Sequence, residues 1–200
     1  MRFDLQIIAS WITPGAKVLD LGCGEGDLLS FLKEQKQVYG TGIECQESKV
    51  AQCIAAGLPV LQGDINSEVE DYPDKAFDYV ILSQTLQQVF DPEKLIHAML
   101  RIGGQAIVSF PNFSHWRNRL QLLTTGYAPK NRQLPFEWYN TPNIRVITLN
   151  DFRRFARLAG FTILKEVAIN TDHHNEDGNI INHLAGLRAT YGIFMIGKGH

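Results

Sequence analysis

Residues 18–26 read Val-Leu-Asp-Leu-Gly-Cys-Gly-Glu-Gly, and no other stretch constrains the fold as strongly. An apolar run, Val18 to Leu21, carries one acid, Asp20. Gly22, Gly24 and Gly26 follow at alternate positions, and then the amphipathic segment Leu28-Leu29-Ser30-Phe31-Leu32. That order predicts a strand, a tight glycine turn and a helix. Glycine takes φ > 0 freely and lets a ligand approach the backbone, and the new helix leaves its first N–H groups free. A phosphate-binding P-loop requires Gly-Lys-Ser/Thr, but Asp27-Leu28 follows Gly26. A dinucleotide fingerprint requires G-x-G-x-x-G, and here Asp27 stands where the third glycine belongs. Glu25 and Asp27 would also repel a pyrophosphate.

The remaining pattern, D-x-G-x-G-x-G, resembles motif I of the class I S-adenosylmethionine (SAM) methyltransferases. SAM has no phosphate and carries an α-ammonium and a sulfonium, cations that an acid-flanked turn tolerates. The next strand, Val38 to Glu44, ends in an acid 22 residues after Gly22. At that spacing in nucleotide-binding α/β folds, an acid accepts hydrogen bonds from ribose hydroxyls, and two carboxylate oxygens match a vicinal diol. A third strand, Pro59 to Ile65, ends Gly63-Asp64-Ile65. The resemblance implies that Asp64 takes the adenine amino group and that Ile65 packs on the ring.

The alternation continues. Val50, Ile54 and Leu58 mark a helix face; Phe77 to Leu82 is a nearly continuous apolar strand, as buried parallel strands are. Asp91-Pro92 opens a helix to Ile102, and Gln105 to Phe110 is a fifth strand stopped by Pro111. Thr148-Leu149-Asn150-Asp151 is a capping box for a helix from Asp151 to Ala159, ended by Gly160. Two late strands, Thr162 to Ile169 and Thr190 to Ile196, flank a polar stretch from Asn170 to Asn182. Leu5, Ile8 and Ile12 give an amphipathic first helix. Repeated strand–helix units imply a doubly wound, Rossmann-like α/β fold. The expectation is one domain over residues 1–200, with a mostly parallel seven-stranded sheet that ends in an antiparallel hairpin.

The net charge of −2 gives no electrostatic case for nucleic acid or an anionic membrane. No apolar run approaches the ~20 residues of a membrane span, and the N-terminus has no signal-peptide core. Cys23, Cys45 and Cys53 lack CxxC spacing, so neither a metal site nor a disulfide framework is expected. Cys23 in the turn and Cys45 after Glu44 read as small pocket-lining residues of a cytoplasmic protein. With Ser83 at the end of the fourth strand, the candidate cofactor set is Asp20, Gly22, Cys23, Gly24, Gly26, Glu44, Cys45, Asp64, Ile65 and Ser83.

Residues 113–148 are least explained by such a fold, and are read as a lid or interaction insertion. They leave the carboxyl end of the fifth strand, where open α/β sheets place ligands. Their aromatics suit a substrate pocket, a partner surface or a lid packed on its own sheet, with His115, Trp116, Trp138 and Tyr139 as the candidates.

Four blocks together resemble the bacterial methionine biosynthesis protein MetW family: 18–26, 77–87, 109–117 (Ser-Phe-Pro-Asn-Phe-Ser-His-Trp-Arg) and 134–144 (Leu-Pro-Phe-Glu-Trp-Tyr-Asn-Thr-Pro-Asn-Ile). The last two are not general methyltransferase motifs. The resemblance runs from about residue 2 to 169. It implies the class I fold, SAM or S-adenosylhomocysteine as ligand, and partnership with homoserine O-acetyltransferase. The chain lacks the Asn/Asp-Pro-Pro-aromatic turn of amide methyltransferases, having Ser83-Gln84-Thr85-Leu86 there. In Leu86-Gln87-Gln88-Val89 it has Gln88 where many small-molecule methyltransferases place a histidine, just before the valine, and Gln cannot serve as a base near neutral pH. His115 and Tyr139 remain as candidate bases. Two expectations follow: a SAM-binding accessory protein that activates or regulates the acyltransferase, and an active methyltransferase on a small molecule.

Overall fold

In a computed structural model that describes residues 1–172 and 175–199, the chain forms one eight-stranded sheet in the order β3-β2-β1-β4-β5-β8-β6-β7. The parallel half is β1 (Lys17–Leu21), β2 (Tyr39–Glu44), β3 (Val60–Gln62), β4 (Phe77–Ser83) and β5 (Gly103–Pro111). β8 (Tyr191–Lys198) runs antiparallel between β5 and β6 (Phe161–Asn170). The strand order reverses between β1 and β4, so the carboxyl ends of β1, β2 and β4 open onto a shared crevice.

The seven expected strands are present. The eighth, β7 (Asn179–Ile180), lies in the polar stretch and pairs with the end of β6 through Ile169 and Asn170. Two residues carry no periodicity that a sequence could reveal. Of that polar stretch, positions 173–174 lie outside the described residues.

Helices cover both faces. α1 (Phe3–Trp11) and α2 (Asp27–Lys36) pack on one side, where Leu5, Ile8, Leu28, Leu29 and Leu32 are buried with Val18 and Ile81. α5 (Pro92–Ile102) and α7 (Leu149–Ala159) cover the other. Asp91 caps α5, accepting from the Lys94 N–H at 3.0 Å with Pro92 at the first turn, a start that costs no backbone donor. Thr148 caps α7, accepting from the Asp151 N–H at 3.1 Å, while the return bond of the expected capping box runs from the Thr148 hydroxyl to the Asp151 carboxylate at 2.7 Å; with Thr148 as the cap, α7 begins at Leu149. The ring of Phe152 sits 4.5 Å from that of Phe194, centroid to centroid, under the antiparallel half.

One expected face is rotated. On α3 (Glu47–Ala55) Val50 and Cys53 are buried, while Ile54 is 61% exposed. Leu58 is buried but lies past the helix end. The helix faces β2 and β3 along an i, i+3 line, and only packing decides which of two such lines is used.

Candidate functional site

The glycine turn is built from hydrogen bonds to the neighbouring strand. Gly22 and Cys23 donate their N–H groups to the Ile43 carbonyl at 2.8 and 3.1 Å. Gly24 N–H reaches the Glu44 Oε2 at 3.0 Å, and Gln46 N–H reaches Oε1 at 2.9 Å. Both carboxylate oxygens of Glu44 are thus fixed by backbone donors. Oε2 has a second lone pair left for a ligand hydroxyl, while Oε1 also accepts from the Cys45 thiol at 3.5 Å, a weak bond that a hydroxyl could replace. Gly22 sits at φ +75°, and a Cβ there would come to 3.0 Å from Thr85 Oγ1. Glycine is therefore needed here for both conformation and space.

The crevice has two lobes. The larger, about 410 Å³, is walled by Gly22, Gly24, Glu44, Cys45, Asp64, Ile65 and Ser83. The smaller, about 210 Å³, adds Asp20 and Cys23. Nine of the ten candidate cofactor residues therefore come together. Gly26 does not line either lobe. It sits at φ +84° as the residue before α2, with Cys53 Sγ 3.0 Å from where a Cβ would stand, so its role is packing. Asp64 does reach the cleft, but it also caps the short α4 (Ile65–Glu68), accepting from the Asn66 N–H at 2.9 Å. The strand there ends at Gln62 rather than Ile65.

Asp20 is 3% exposed. Burial pushes its carboxyl up to about 7, Arg2 nearby pulls it down, and Glu44 adds to the rise. Burial also raises the thiols of Cys23, Cys45 and Cys53, with the neighbouring acids contributing, so none is an activated nucleophile.

Several cleft residues are not among the candidate cofactor residues. Arg2 and Lys49 line both lobes; Gln84, Thr85, Gln88 and Val89 line the larger. Gln84 holds a left-handed backbone at φ +53°, costly for a residue with a Cβ. Its N–H donates to the Ser109 carbonyl at 2.9 Å, and its Nε2 to Asp4 Oδ2 at 2.7 Å. Gln87 is buried next to it. Its Nε2 donates to the Gln84 carbonyl at 2.6 Å, and its Oε1 has no hydrogen-bond partner among the described residues.

The four lid candidates lie elsewhere. His115 caps α6 (Trp116–Thr125), its Nδ1 accepting from the Arg117 N–H at 3.3 Å. Burial and the Arg117 charge lower its pKa. Trp116 packs beside His115, with Arg117 over its ring. Trp138 and Tyr139 meet edge to face at 5.7 Å and are largely exposed. A separate groove of about 250 Å³ runs through this region, lined by Phe113, Leu134, Phe136 and Trp138 among others. The region is stapled to the segment that carries part of the cleft wall: Ile144 and Arg145 donate their N–H groups to the Gln87 carbonyl, both at 3.0 Å, beside the wall residue Gln88. Among the described residues no group of His, Cys, Asp and Glu could hold a metal ion, and no helix is long and apolar enough to cross a membrane.

Comparison with known proteins decides the family. The profile described as methionine biosynthesis protein MetW matches residues 2–196. The chain belongs to the MetW family. A bifunctional methionine biosynthesis protein MetXA/MetW from Rhodopirellula baltica is 35% identical over 181 residues, 86% of this chain and 29% of that protein. A ubiquinone biosynthesis O-methyltransferase from Photorhabdus laumondii is 35% identical over 106 residues, 49% of this chain and 44% of that one. This chain thus spans less than half the length of either relative. A SAM-dependent methyltransferase structure from Thermotoga maritima, described as a possible histamine N-methyltransferase, superposes with a TM-score of 0.70 at 19% identity, covering 98% of this chain and 87% of that one. At that identity the likeness establishes the fold, a class I SAM methyltransferase fold, within a methionine biosynthesis family.

Proposed function

We propose that this MetW-family chain binds SAM or S-adenosylhomocysteine in the crevice and acts as a regulatory partner of homoserine O-acetyltransferase, which makes O-acetylhomoserine for methionine synthesis. The residues present suit the ligand. Asp20, Glu44 and Asp64 are acceptors for an ammonium, a ribose diol and an adenine amino group, and the turn at Gly22 leaves a cradle that a Cβ would fill. Of the two ligands, only SAM, when bound there, would supply a sulfonium methyl group.

One observation carries the regulatory reading over the catalytic one. Among the described residues that wall the two lobes there is neither a histidine nor a tyrosine, and the carboxyl raised toward neutrality, Asp20, is in this reading taken up by the ligand's own ammonium. Transfer to oxygen or nitrogen needs a route for the acceptor's proton. His115 spends Nδ1 on a helix cap, and Tyr139 projects from a region that does not line the crevice. Residues 113–148 instead read as an interaction insertion. They carry Arg117, Arg119, Lys130, Arg132 and Arg145 against a single acid, Glu137, together with exposed aromatics. The fused relative supports the partnership, since a shared chain holds two functional halves at high effective concentration.

The test is an assay of purified homoserine O-acetyltransferase with and without this chain, at several SAM concentrations, paired with co-purification of the two. Acceleration or SAM-dependent inhibition supports the reading; no association and no effect overturns it. The second reading, methyl transfer to a small molecule, draws on the likeness to ubiquinone O-methyltransferases. Methyl transfer from labelled SAM to a small-molecule acceptor, lost in Tyr139→Phe or His115→Ala, would establish it instead.

A further inference from the structure

Helix α6 is built inside out. Ten residues long, it buries only Asn118, a polar residue. Asn118 Nδ2 donates to the Phe113 carbonyl at 2.9 Å, and its Oδ1 accepts from Asn131 Nδ2 at 2.6 Å. His115 caps the start, Gly126 ends the helix at φ +70°, and Arg119 Nε donates to the Ser114 carbonyl at 2.7 Å. Polar bonds thus fix the helix, and its large apolar side chains face outward. Trp116, Leu120 and Leu123 follow one another at i, i+4 and i+7 and are all exposed, Leu123 to 83%. Tyr127, exposed just past the helix end, extends the line to Ala128, Pro129 and Lys130, which wall the groove of about 250 Å³.

Apolar residues at that spacing form the seam along which one helix packs on another. A helix this short is marginal in water, and helices in proteins gain most of their stability by burying such a stripe. Among the described residues nothing covers this one.

Charge says what would cover it. α6 carries Arg117 and Arg119 and no acid. Successive helical residues turn by about 100°, so the two arginines fall on opposite flanks of the stripe. Glu137, the single acid of residues 113–148, is paired with Lys130, and Arg132 is paired with Asp172. Arg117 lies over the Trp116 ring, and neither it nor Arg119 meets an acid among the described residues. A second copy packing this face on itself brings arginines and no free acid. A stripe of apolar residues flanked by Asp or Glu satisfies both the leucines and the arginines.

We propose that the exposed face of α6 docks an amphipathic helix of the acetyltransferase, one whose apolar stripe is flanked by carboxylates. The proposal rests on the partnership above and adds the face, the form of the occupant and its charge.

Equilibrium binding of the intact chain to purified homoserine O-acetyltransferase tests it. Leu123→Glu weakens association by about tenfold or more, the scale of losing a central interface residue. Arg117→Glu weakens it by about tenfold at about 50 mM salt and by much less at about 500 mM, because salt screens pairs at an interface rim. Leu158→Glu, the same change at an exposed leucine of α7, leaves affinity within about twofold. Thermal melting checks that each variant is folded. Unchanged affinity in Leu123→Glu, an equal loss in Leu158→Glu, or a loss in Arg117→Glu that salt does not reduce overturns the proposal. So does sedimentation in which the wild type dimerises alone and Leu123→Glu abolishes the dimer while acetyltransferase binding persists. Should Leu123→Glu fail to fold, Leu120→Gln removes the apolar contact without adding charge, and unchanged affinity there overturns the proposal equally. A wild type that binds the acetyltransferase no better than its α6 variants sinks this surface and spares the partnership; one that does not bind it sinks both.

Discussion

Asp4 and Gln84 are separated by 80 positions in the chain and meet at 2.7 Å. The contact joins the first helix to the loop after β4 and closes the crevice between them. Gln84 also carries the strained backbone at φ +53°. A strained residue held by several partners at a cleft wall is the pattern expected of a functional loop.

That contact has a measurable worth. Asp4→Ala leaves Gln84 Nε2 and part of the Arg2 fork without acceptors in a nearly buried position. The expected loss is about 1–3 kcal/mol, read as a lower denaturant midpoint at unchanged slope. A midpoint equal to the wild type would show that the closure is loose.

Glu44 serves the turn as well as any ligand, since Gly24 and Gln46 both donate to it. Glu44→Ala should weaken SAM binding by ~1–3 kcal/mol and lower stability in parallel. Calorimetry with the mutant giving wild-type affinity would remove Glu44 from the ligand site.

Gly26 separates packing from binding. Gly26→Ala places a Cβ at φ +84°, beside Cys53 Sγ and Leu58. The left-handed backbone alone costs roughly 1–2 kcal/mol, so thermal melting should show clear destabilisation. The folded fraction should bind SAM almost normally, because Gly26 does not wall the crevice. Selective loss of affinity with unchanged melting would reverse that assignment.

Asp20 sets a pH dependence. Its carboxyl is raised to about 7 by burial, with Arg2 and Glu44 as the charges acting on it. A raised acid favours the protonated folded state, so the ligand-free protein loses stability as pH climbs from the usual carboxylate range to about 7, and the effect is complete above that. An ammonium-bearing ligand needs the anion. S-adenosylhomocysteine affinity should therefore rise about fivefold from pH 6 to pH 7, by the ionised fraction, and Asp20→Asn should flatten the profile. A flat wild-type profile over that range would show that the ligand does not sense this carboxyl.

Trp138 is 77% exposed at the edge of the groove in residues 113–148. Large exposed aromatics anchor interfaces, so Trp138→Ala should cost ~2 kcal/mol or more of binding to the acetyltransferase. SAM affinity should stay unchanged, because Trp138 does not line the crevice. Normal activation at limiting concentration by a folded mutant would place the interface elsewhere.

The chain itself determined the strand–turn–helix at residues 18–32, the alternation that follows, the capping box at Thr148 and the acids at the ends of β1 and β2. Those features are local: a strand repeats every two residues, a helix every 3.6, and a glycine turn is encoded where it occurs. Tertiary structure decided what depends on contacts between distant segments. It turned Ile54 outward and Cys53 inward on α3, assigned Gly26 to packing, and kept His115, Trp138 and Tyr139 off the crevice wall. It also brought Arg2, Lys49 and Gln84 to that wall. Arg2 and Lys49 belong to no pattern, and Gln84 lies in the 77–87 block without a role that the block reveals. A salt bridge at the second residue and an amide after the fourth strand acquire meaning only when the sheet crossovers bring them together, and a side chain's long-range neighbours leave no period in the sequence.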